Sequence, residues 1–365
     1  MKQTVLHRKH ELLNTKMTEY QGWQIPLQFS DVQDEYHSVR YAAGLFDISY
    51  LGRIEVNGPE APVLLQNIIT SNLSKIREGS AHYGLICNDA GGILDDIFIH
   101  HLAAAAKTPG DRYLLSTNAS NTEKILNWLK KHATGDVQIE DRSQATAQIS
   151  LQGPKSLRIM EKLPGLHFKK LKLRSVRDMV YVDTSLLVLR SGYTGEHGYE
   201  IIVPADQAVA LWETLLTVGA DDGILPCGFA CRDVLRLEMG YLMYGYDIDE
   251  TRTPVEAGLS RFIDFRKEFI GKEALQRIKT DGPKQMLAGF VLLDKGVPKN
   301  GGSIYSENRE IGAVTSGGQS PDLRKGIGLG YVFSRYAQPG QEIEIELRDR
   351  EIAAKIVDLP FYRKK

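Results

Sequence analysis

Polar and apolar residues alternate without a break from Gln341 to Leu347. Ile343, Ile345 and Leu347 fall on one side and charged residues on the other, the period-two signature of a half-buried strand. Asp349-Arg350 turns the chain into a second run, Ile352 to Val357, and Met286 to Leu293 and Ile327 to Val332 are further apolar runs. Five or six short strands in the last 80 or so residues predict a small β-barrel or sandwich. Gly326, Gly328 and Gly330 lie inside one run, where packing accounts for them. The polar, turn-rich hexamer Lys279-Thr280-Asp281-Gly282-Pro283-Lys284 marks the boundary with what precedes it.

Upstream, helical and strand periods alternate, and two passages are alike. Tyr113-Leu114-Leu115 reads as a strand that runs to Asn118 and into a helix. There Ser120 and Glu123 have capping-box spacing, and Ile125, Trp128 and Leu129 share a face. Tyr199 to Val203 is a second strand, stopped at Pro204 and followed by a helix with Val209, Leu211, Trp212, Leu215 and Leu216. Two strand–turn–helix units suggest two related α/β subdomains, with both tryptophans as core anchors.

Length and charge narrow the function. A chain of 365 residues allows two to three domains at roughly 150 residues each. A net charge of −1 argues against a general nucleic-acid binder, which needs a basic excess. Cys87, Cys227 and Cys231 are too few for a disulfide framework, and their spacing does not make a zinc site. The longest apolar run, near Ile97 to Ala106, contains His100 and His101 and is about half a membrane span. With no N-terminal apolar leader, the expectation is a cytoplasmic protein.

Three segments look chemical. Asn88-Asp89-Ala90-Gly91-Gly92 is a turn leading into the strand Ile93-Leu94-Asp95-Asp96-Ile97-Phe98-Ile99. Alternation puts Asp95 with Ile97 and Ile99, and Asp96 with Leu94 and Phe98. A carboxylate on an apolar face needs a partner or a ligand, so either backbone groups cap it or substrate meets it. The second segment is Ser191-Gly192-Tyr193-Thr194-Gly195-Glu196-His197-Gly198-Tyr199-Glu200. Its glycines, spaced by three, allow tight turns or close approach. A strand follows rather than a helix, so it is no dinucleotide fingerprint. Glu200 is either a strand-edge acid or a ligand contact.

The third segment, Cys227 to Gly240, reads as a helix closed by Gly240, with Asp233 and Arg236 at pairing distance. Arg232 lies near the helix start, where the macrodipole favours anions, so an acidic neighbour is expected. Tyr244 to Glu250 is an acidic, aromatic loop, a solvated turn or a pocket rim. No P-loop, G-x-S-x-G elbow or H-E-x-x-H occurs.

In order and spacing these segments resemble the aminomethyltransferase (T-protein) family of the glycine cleavage system. The likeness includes Gly22-Trp23 with Pro26, Gly44 to Ser49, Asn88 to Asp96, Gln152-Gly153-Pro154, Gly192 to Glu200 and Arg232-Asp233. It continues through Leu235 to Glu238, Tyr244-Gly245, Thr253-Pro254, Glu256 to Leu259, Thr315-Ser316-Gly317 and Pro360-Phe361-Tyr362. The resemblance implies an α+β fold, a three-lobed cloverleaf around a central folate cavity. Residues 1–278 would form a folate-binding region of two interleaved α/β subdomains, and residues 284–365 a C-terminal β-barrel.

It also implies transfer of an aminomethyl-derived carbon from the lipoyl arm of the H-protein to tetrahydrofolate, giving 5,10-methylenetetrahydrofolate and ammonia, with no metal. By the resemblance Asp96 is the catalytic residue, and Tyr83, Tyr193, Glu200, Arg232 and Arg363 contact folate. Glu200 suits the paired N–H donors of a pterin, and arginine suits a carboxylate. A free aspartate titrates near ~3.9, so Asp96 is a poor base. It would instead orient N10 and steady positive charge as ammonia leaves. The chain departs from the family's usual Ser-His-Met-Gly at Ser49-Tyr50-Leu51-Gly52, from Asn-Asp at Ser71-Asn72, and from Gly-Leu-Gly-Ala-Arg-Asp at Gly228 to Asp233. A related folate-dependent demethylase and a non-catalytic folate-binding protein are the alternatives.

Overall fold

The computed structural model describes residues 1–103, 110–348 and 350–364. The end of the apolar run at Ala104 to Ala106, and Asp349 of the expected turn, lie outside the described residues. The chain forms two compact units. The first comprises Met1–Gly84 and Asp95–Arg232, the second Leu85–Leu94 and Asp233–Lys365.

A six-stranded sheet organises much of the first unit. Its strands run in the order Val176–Tyr181, Thr184–Leu189, Gly198–Pro204, Thr146–Gln152, Ala43–Asp47 and Ile224–Pro226. Thr146–Gln152 is a central strand, and its two faces differ. Ala147, Ile149 and Leu151 enter a core with Leu45, Tyr199, Ile201, Val203, Leu211 and Trp212. Trp212 lies on the helix Ala208–Gly219 and is fully buried, a burial worth a few kcal/mol, since even Phe-sized side chains gain about 1.5–3 kcal/mol. The alternate residues Gln148, Ser150 and Gln152 are polar yet also buried. Register puts Ser150 opposite Glu200, Gln152 opposite Gly198 and Gln148 opposite Ile202. Burying a polar face is costly without partners, so this side of the sheet is built for something other than packing.

A five-stranded sheet runs in the order Ser80–Cys87, Ile93–Leu102, Asp111–Thr117, Gly52–Gly58 and Gln138–Asp141. The two strand–helix passages therefore belong to different sheets. The helix after Asp111–Thr117 spans Thr122–His132, with Asn121 as N-cap and no side-chain cap bond. Ser120 and Glu123 thus do not make the expected capping box, because the helix starts a residue later. Trp128 also differs from expectation. It sits at the edge of the Ile125–Leu129 stripe, is half-buried, and packs on His132 with ring centroids 4.6 Å apart.

In the second unit six strands close into a barrel. Their order is Gln285–Leu292, Lys325–Phe333, Arg309–Ser320, Ser303–Ser306, Glu342–Leu347 and Arg350–Val357. Phe290, Leu292, Ile304, Val314, Ile343, Ile345 and Ile356 fill it; Ile343 and Ile345 point inward as the alternation predicts, and Leu347 packs against them partly buried. The helix Phe229–Glu238 ends as expected, at Gly240 with φ +64°, a conformation that glycine adopts without strain. Arg236 near its end is buried and bonded to Asp233 Oδ1 (2.7 Å), Asp247 Oδ2 (2.7 Å), Tyr241 O (3.1 Å) and Ser316 Oγ (2.9 Å). Thr315 Oγ1 donates to the other Asp247 oxygen at 2.6 Å. The acidic loop is therefore anchored on a buried ion pair, with Asp247 as its post.

Candidate functional site

The aspartate doublet lies on the strand Ile93–Leu102. Its neighbour Asp111–Thr117 is antiparallel, with Phe98 opposite Ser116. Carrying that register two residues further brings Asn118 opposite Asp96. The Asn118 Nδ2 reaches three acceptors, Asp95 Oδ1 at 2.8 Å, Asp96 Oδ1 at 2.8 Å and Asp96 O at 3.1 Å. An amide has two hydrogens, so they are shared. Asp95 is fully buried, and it accepts also from Asn118 N (3.1 Å) and Asn121 Nδ2 (2.7 Å). Asn121 spends its side chain on Asp95 rather than on capping its helix. Burial and the charge of Asp96 push Asp95 up to about 7, against the pull of those amide donors.

Asp96 is half-buried, and the Tyr83 hydroxyl donates to its other oxygen, Oδ2, at 3.0 Å. Burial and the neighbouring Asp96 carboxylate hold the Tyr83 phenol well above its ordinary range, so it stays a donor. Its ring meets Phe98 edge-on, centroids 5.7 Å apart. Tyr193 adds to the electrostatic push on Tyr83, which links the doublet to the glycine segment.

That segment is shaped by one side chain. A Cβ on Gly192 would come 2.0 Å from Gln152 Oε1, and one on Gly198 would come 2.2 Å from Gln152 Nε2. Gln152 in turn donates to Ser191 O (3.1 Å) and Ser150 Oγ (2.9 Å), and accepts from Thr194 Oγ1 (3.0 Å). Arg40, buried, bonds Thr194 O at 2.7 Å and Glu196 Oε1 at 3.1 Å. The turn is thus fixed at both ends. Glu200, the third residue of the strand Gly198–Pro204, accepts from Ser191 Oγ (2.8 Å) and more distantly from Gln148 Nε2 (3.4 Å), both on Oε2. Burial raises the Glu200 pKa, while Ser191, Arg232 and Gln148 pull it down.

The guanidinium of Arg232 stacks over Tyr193, 4.4 Å from the ring centroid, in a cation–π contact. Burial opposes its charge, but Tyr50, Tyr193 and Glu200 outweigh it and hold Arg232 above the ordinary arginine value. These are the electron-rich neighbours that its position at a helix start demands. Tyr50, at one of the family departures, is buried and lines a crevice with Phe46, Gly228, Phe229 and Arg232.

Asp96, Tyr83, Tyr193, Glu200 and Arg232 thus form one connected cluster in the first unit. Arg363 belongs to the second unit and is exposed in the segment after the last barrel strand. Sequence reasoning missed Asn118, Asn121, Gln148 and Ser191 as partners. The polar alternation Gln148-Ser150-Gln152 was a visible signal, whereas the Asn118 contact depends on strand register. Elsewhere Glu35, Cys227 and Cys231 lie with ligand atoms within 4.8 Å of one another. The Glu35 carboxylate is taken by the backbone N–H groups of Phe29, Ser30 and Gly228, so it serves as a loop clamp. Among the described residues no helix is long and apolar enough to cross a membrane.

Comparison with known proteins fits this geometry. Residues 6–267 match the GCVT N-terminal domain family, and residues 285–363 match the glycine cleavage T-protein C-terminal barrel domain. An aminomethyltransferase of Geobacillus thermodenitrificans is 41% identical over 367 residues, covering 100% of this chain and 99% of that protein. One from Halothermothrix orenii is 41% identical over 362 residues, covering 99% of this chain and 100% of the relative. The crystal structure of the glycine cleavage system aminomethyltransferase T from Bartonella henselae superposes with a TM-score of 0.92 at 31% identity, over 99% of this chain and 98% of that one. The chain belongs to the glycine cleavage T-protein family. Proteins of this family are aminomethyltransferases that use tetrahydrofolate as a substrate.

Proposed function

We infer that this chain moves the aminomethyl-derived carbon of a lipoyl-bearing H-protein to tetrahydrofolate, with 5,10-methylenetetrahydrofolate and ammonia as products. The observation that carries the reading is the fixed Asp96 carboxylate. Asn118 bonds one of its oxygens and Tyr83 the other, within the cluster that contains Glu200 and Arg232. Tetrahydrofolate would supply the nitrogens that accept the carbon.

The protein groups suit that substrate. Glu200 Oε2 already accepts two donors, and no hydrogen bond reaches Oε1 among the described residues. A pterin edge with adjacent N–H donors fits such a carboxylate. Tyr193 and Arg232 offer a flat, cationic stack for a ring or a carboxylate fork. By the family resemblance Arg363 is a further folate contact. Asp96 accepts a hydrogen bond from N10, orients that nitrogen and stabilises positive charge as ammonia departs. Because its oxygens are held before substrate arrives, that stabilisation costs little reorganisation. In this reading residues 1–278 form the folate-binding region, residues 284–365 the barrel, and the protein works in the cytoplasm.

Purified protein mixed with aminomethyl-loaded H-protein should release ammonia only when tetrahydrofolate is added. Release that ignores tetrahydrofolate would remove folate from the reaction. Turnover of a small methylated amine without H-protein would make the chain a demethylase instead.

A further inference from the structure

The buried polar face of Thr146–Gln152 contains one acceptor that the protein leaves unanswered. Gln148 is 1% exposed. Its Nε2 lies 3.4 Å from Glu200 Oε2, yet its Oε1 has no hydrogen-bond partner among the described residues. Ser150 and Gln152, on the same face, are both bonded. A buried carbonyl without a donor is unfavourable by an amount comparable to a whole hydrogen bond, so native proteins seldom leave one. The amide cannot simply turn over, because that would set its oxygen against the Glu200 carboxylate. Amide nitrogen and oxygen are about 2.3 Å apart, so Gln148 Oε1 stands within about 5.7 Å of Glu200 Oε2. The unfilled acceptor is therefore a neighbour of the candidate ring-binding acid.

The ligand side has the matching deficit. A 2-amino-4-oxopterin carries three hydrogens on one edge, one on N3 and two on the exocyclic amino group. Glu200, with one open and one shared oxygen, serves two of them. The third would be buried without an acceptor. We propose that Gln148 is a further folate-binding residue, whose Oε1 accepts the second hydrogen of the pterin 2-amino group beside Glu200. The assignment rests on the reading of this site as a tetrahydrofolate site. It adds a specificity role, since the residue recognises the amino group rather than the pterin ring in general. The strand itself does not need the side chain. Its backbone anchors it: Gln148 N donates to Ser49 Oγ at 3.0 Å, and Gln148 O accepts from Ile48 N at 3.0 Å.

The test is equilibrium binding, followed by calorimetry, of tetrahydrofolate and of its 2-desamino-2-methyl analogue. Wild type should prefer tetrahydrofolate. In Gln148→Leu, tetrahydrofolate should weaken by about 3- to 10-fold, the value of one neutral hydrogen bond, while the analogue changes little. The preference ratio should therefore shrink by the same factor. Ser191→Ala, which removes the other partner of Glu200, should weaken both ligands together and keep the ratio. Gln148→Met repeats the measurement if the leucine variant does not fold. An unchanged ratio in the Gln148 variants, with wild type binding tetrahydrofolate normally, overturns the Gln148 assignment alone. Wild type that binds neither ligand overturns the folate reading and this inference with it.

Discussion

Asn118 Nδ2 stands 2.8 Å from Asp96 Oδ1, and the same nitrogen is 2.8 Å from Asp95 Oδ1. One amide therefore holds both members of an aspartate pair whose charges repel. The arrangement separates their tasks. Asp95 is sealed among amides, while Asp96 keeps a half-exposed carboxylate with a fixed orientation. An amide donor does this without adding charge of its own.

Asn118 should accordingly be a positioning residue. Asn118→Ala should lower kcat by roughly 10- to 100-fold, because a misplacement of about 1 Å can cost that much. Tetrahydrofolate affinity should stay within about threefold, since no contact to the ring is removed. Stability should fall by about 1–3 kcal/mol as a buried carboxyl loses its donors. Steady-state kinetics with folate titration and a denaturant melt check the three together. A parallel loss in affinity would mean that Asn118 supports the folate pocket instead.

Asp95 predicts a pH signature. Its folded pKa, about 7, exceeds the ~3.9 of an unfolded aspartate, so the folded state binds the proton more tightly. The stability this confers is complete below about pH 4, declines as pH rises, and is lost once pH passes about 7. Asp95→Asn removes the titration. The stability of wild type relative to that variant should decrease between about pH 4 and about pH 7, as read from urea midpoints. A gap that is flat or widens in favour of wild type would show that Asp95 is ionised throughout.

Gly198→Ala tests the shaping of the turn. The added Cβ would lie 2.2 Å from both terminal atoms of Gln152. Gln152 must then leave Ser191 and Thr194, which position Tyr193 and Glu200. Overpacking of this kind costs about 1–3 kcal/mol, and tetrahydrofolate binding should weaken by about tenfold or more. Thermal melts and folate titration on the same sample measure both. Normal affinity in a destabilised variant would confine the glycine to a structural role.

Arg236→Leu concerns the second unit. It leaves Asp247 buried without its guanidinium partner, a loss that typically costs about 3–5 kcal/mol. Urea unfolding should show it directly. A change under about 1 kcal/mol would mean that Thr315 and the backbone suffice to hold Asp247.

The barrel was legible because its strands are short apolar or alternating runs, with Ile343 and Ile345 inward in strict alternation. The split of the doublet was legible for the same reason: Asp95, Ile97 and Ile99 are fully buried, and Asp96 and Phe98 are not. Three features were not. Ser120 and Glu123 had capping spacing, but Asn121 became the N-cap, since local spacing does not reveal where a helix axis must begin. Trp128 looked like a core anchor, but its helix presents only Ile125 and Leu129 fully to the core. The glycines near Tyr193 announced a close approach without naming Gln152, some 40 residues away, because register across strands is a tertiary fact. The same holds for Asn118 opposite Asp96.

The account turns on the Asp96 carboxylate, and the most direct measurement is single-turnover ammonia release by Asp96→Asn with aminomethyl-loaded H-protein and saturating tetrahydrofolate. The amide keeps shape and most hydrogen bonds but not the charge. Release should slow by roughly 10²-fold or more, while tetrahydrofolate still binds within a few-fold of wild type. Turnover near the wild-type rate, with folate bound, would contradict the account.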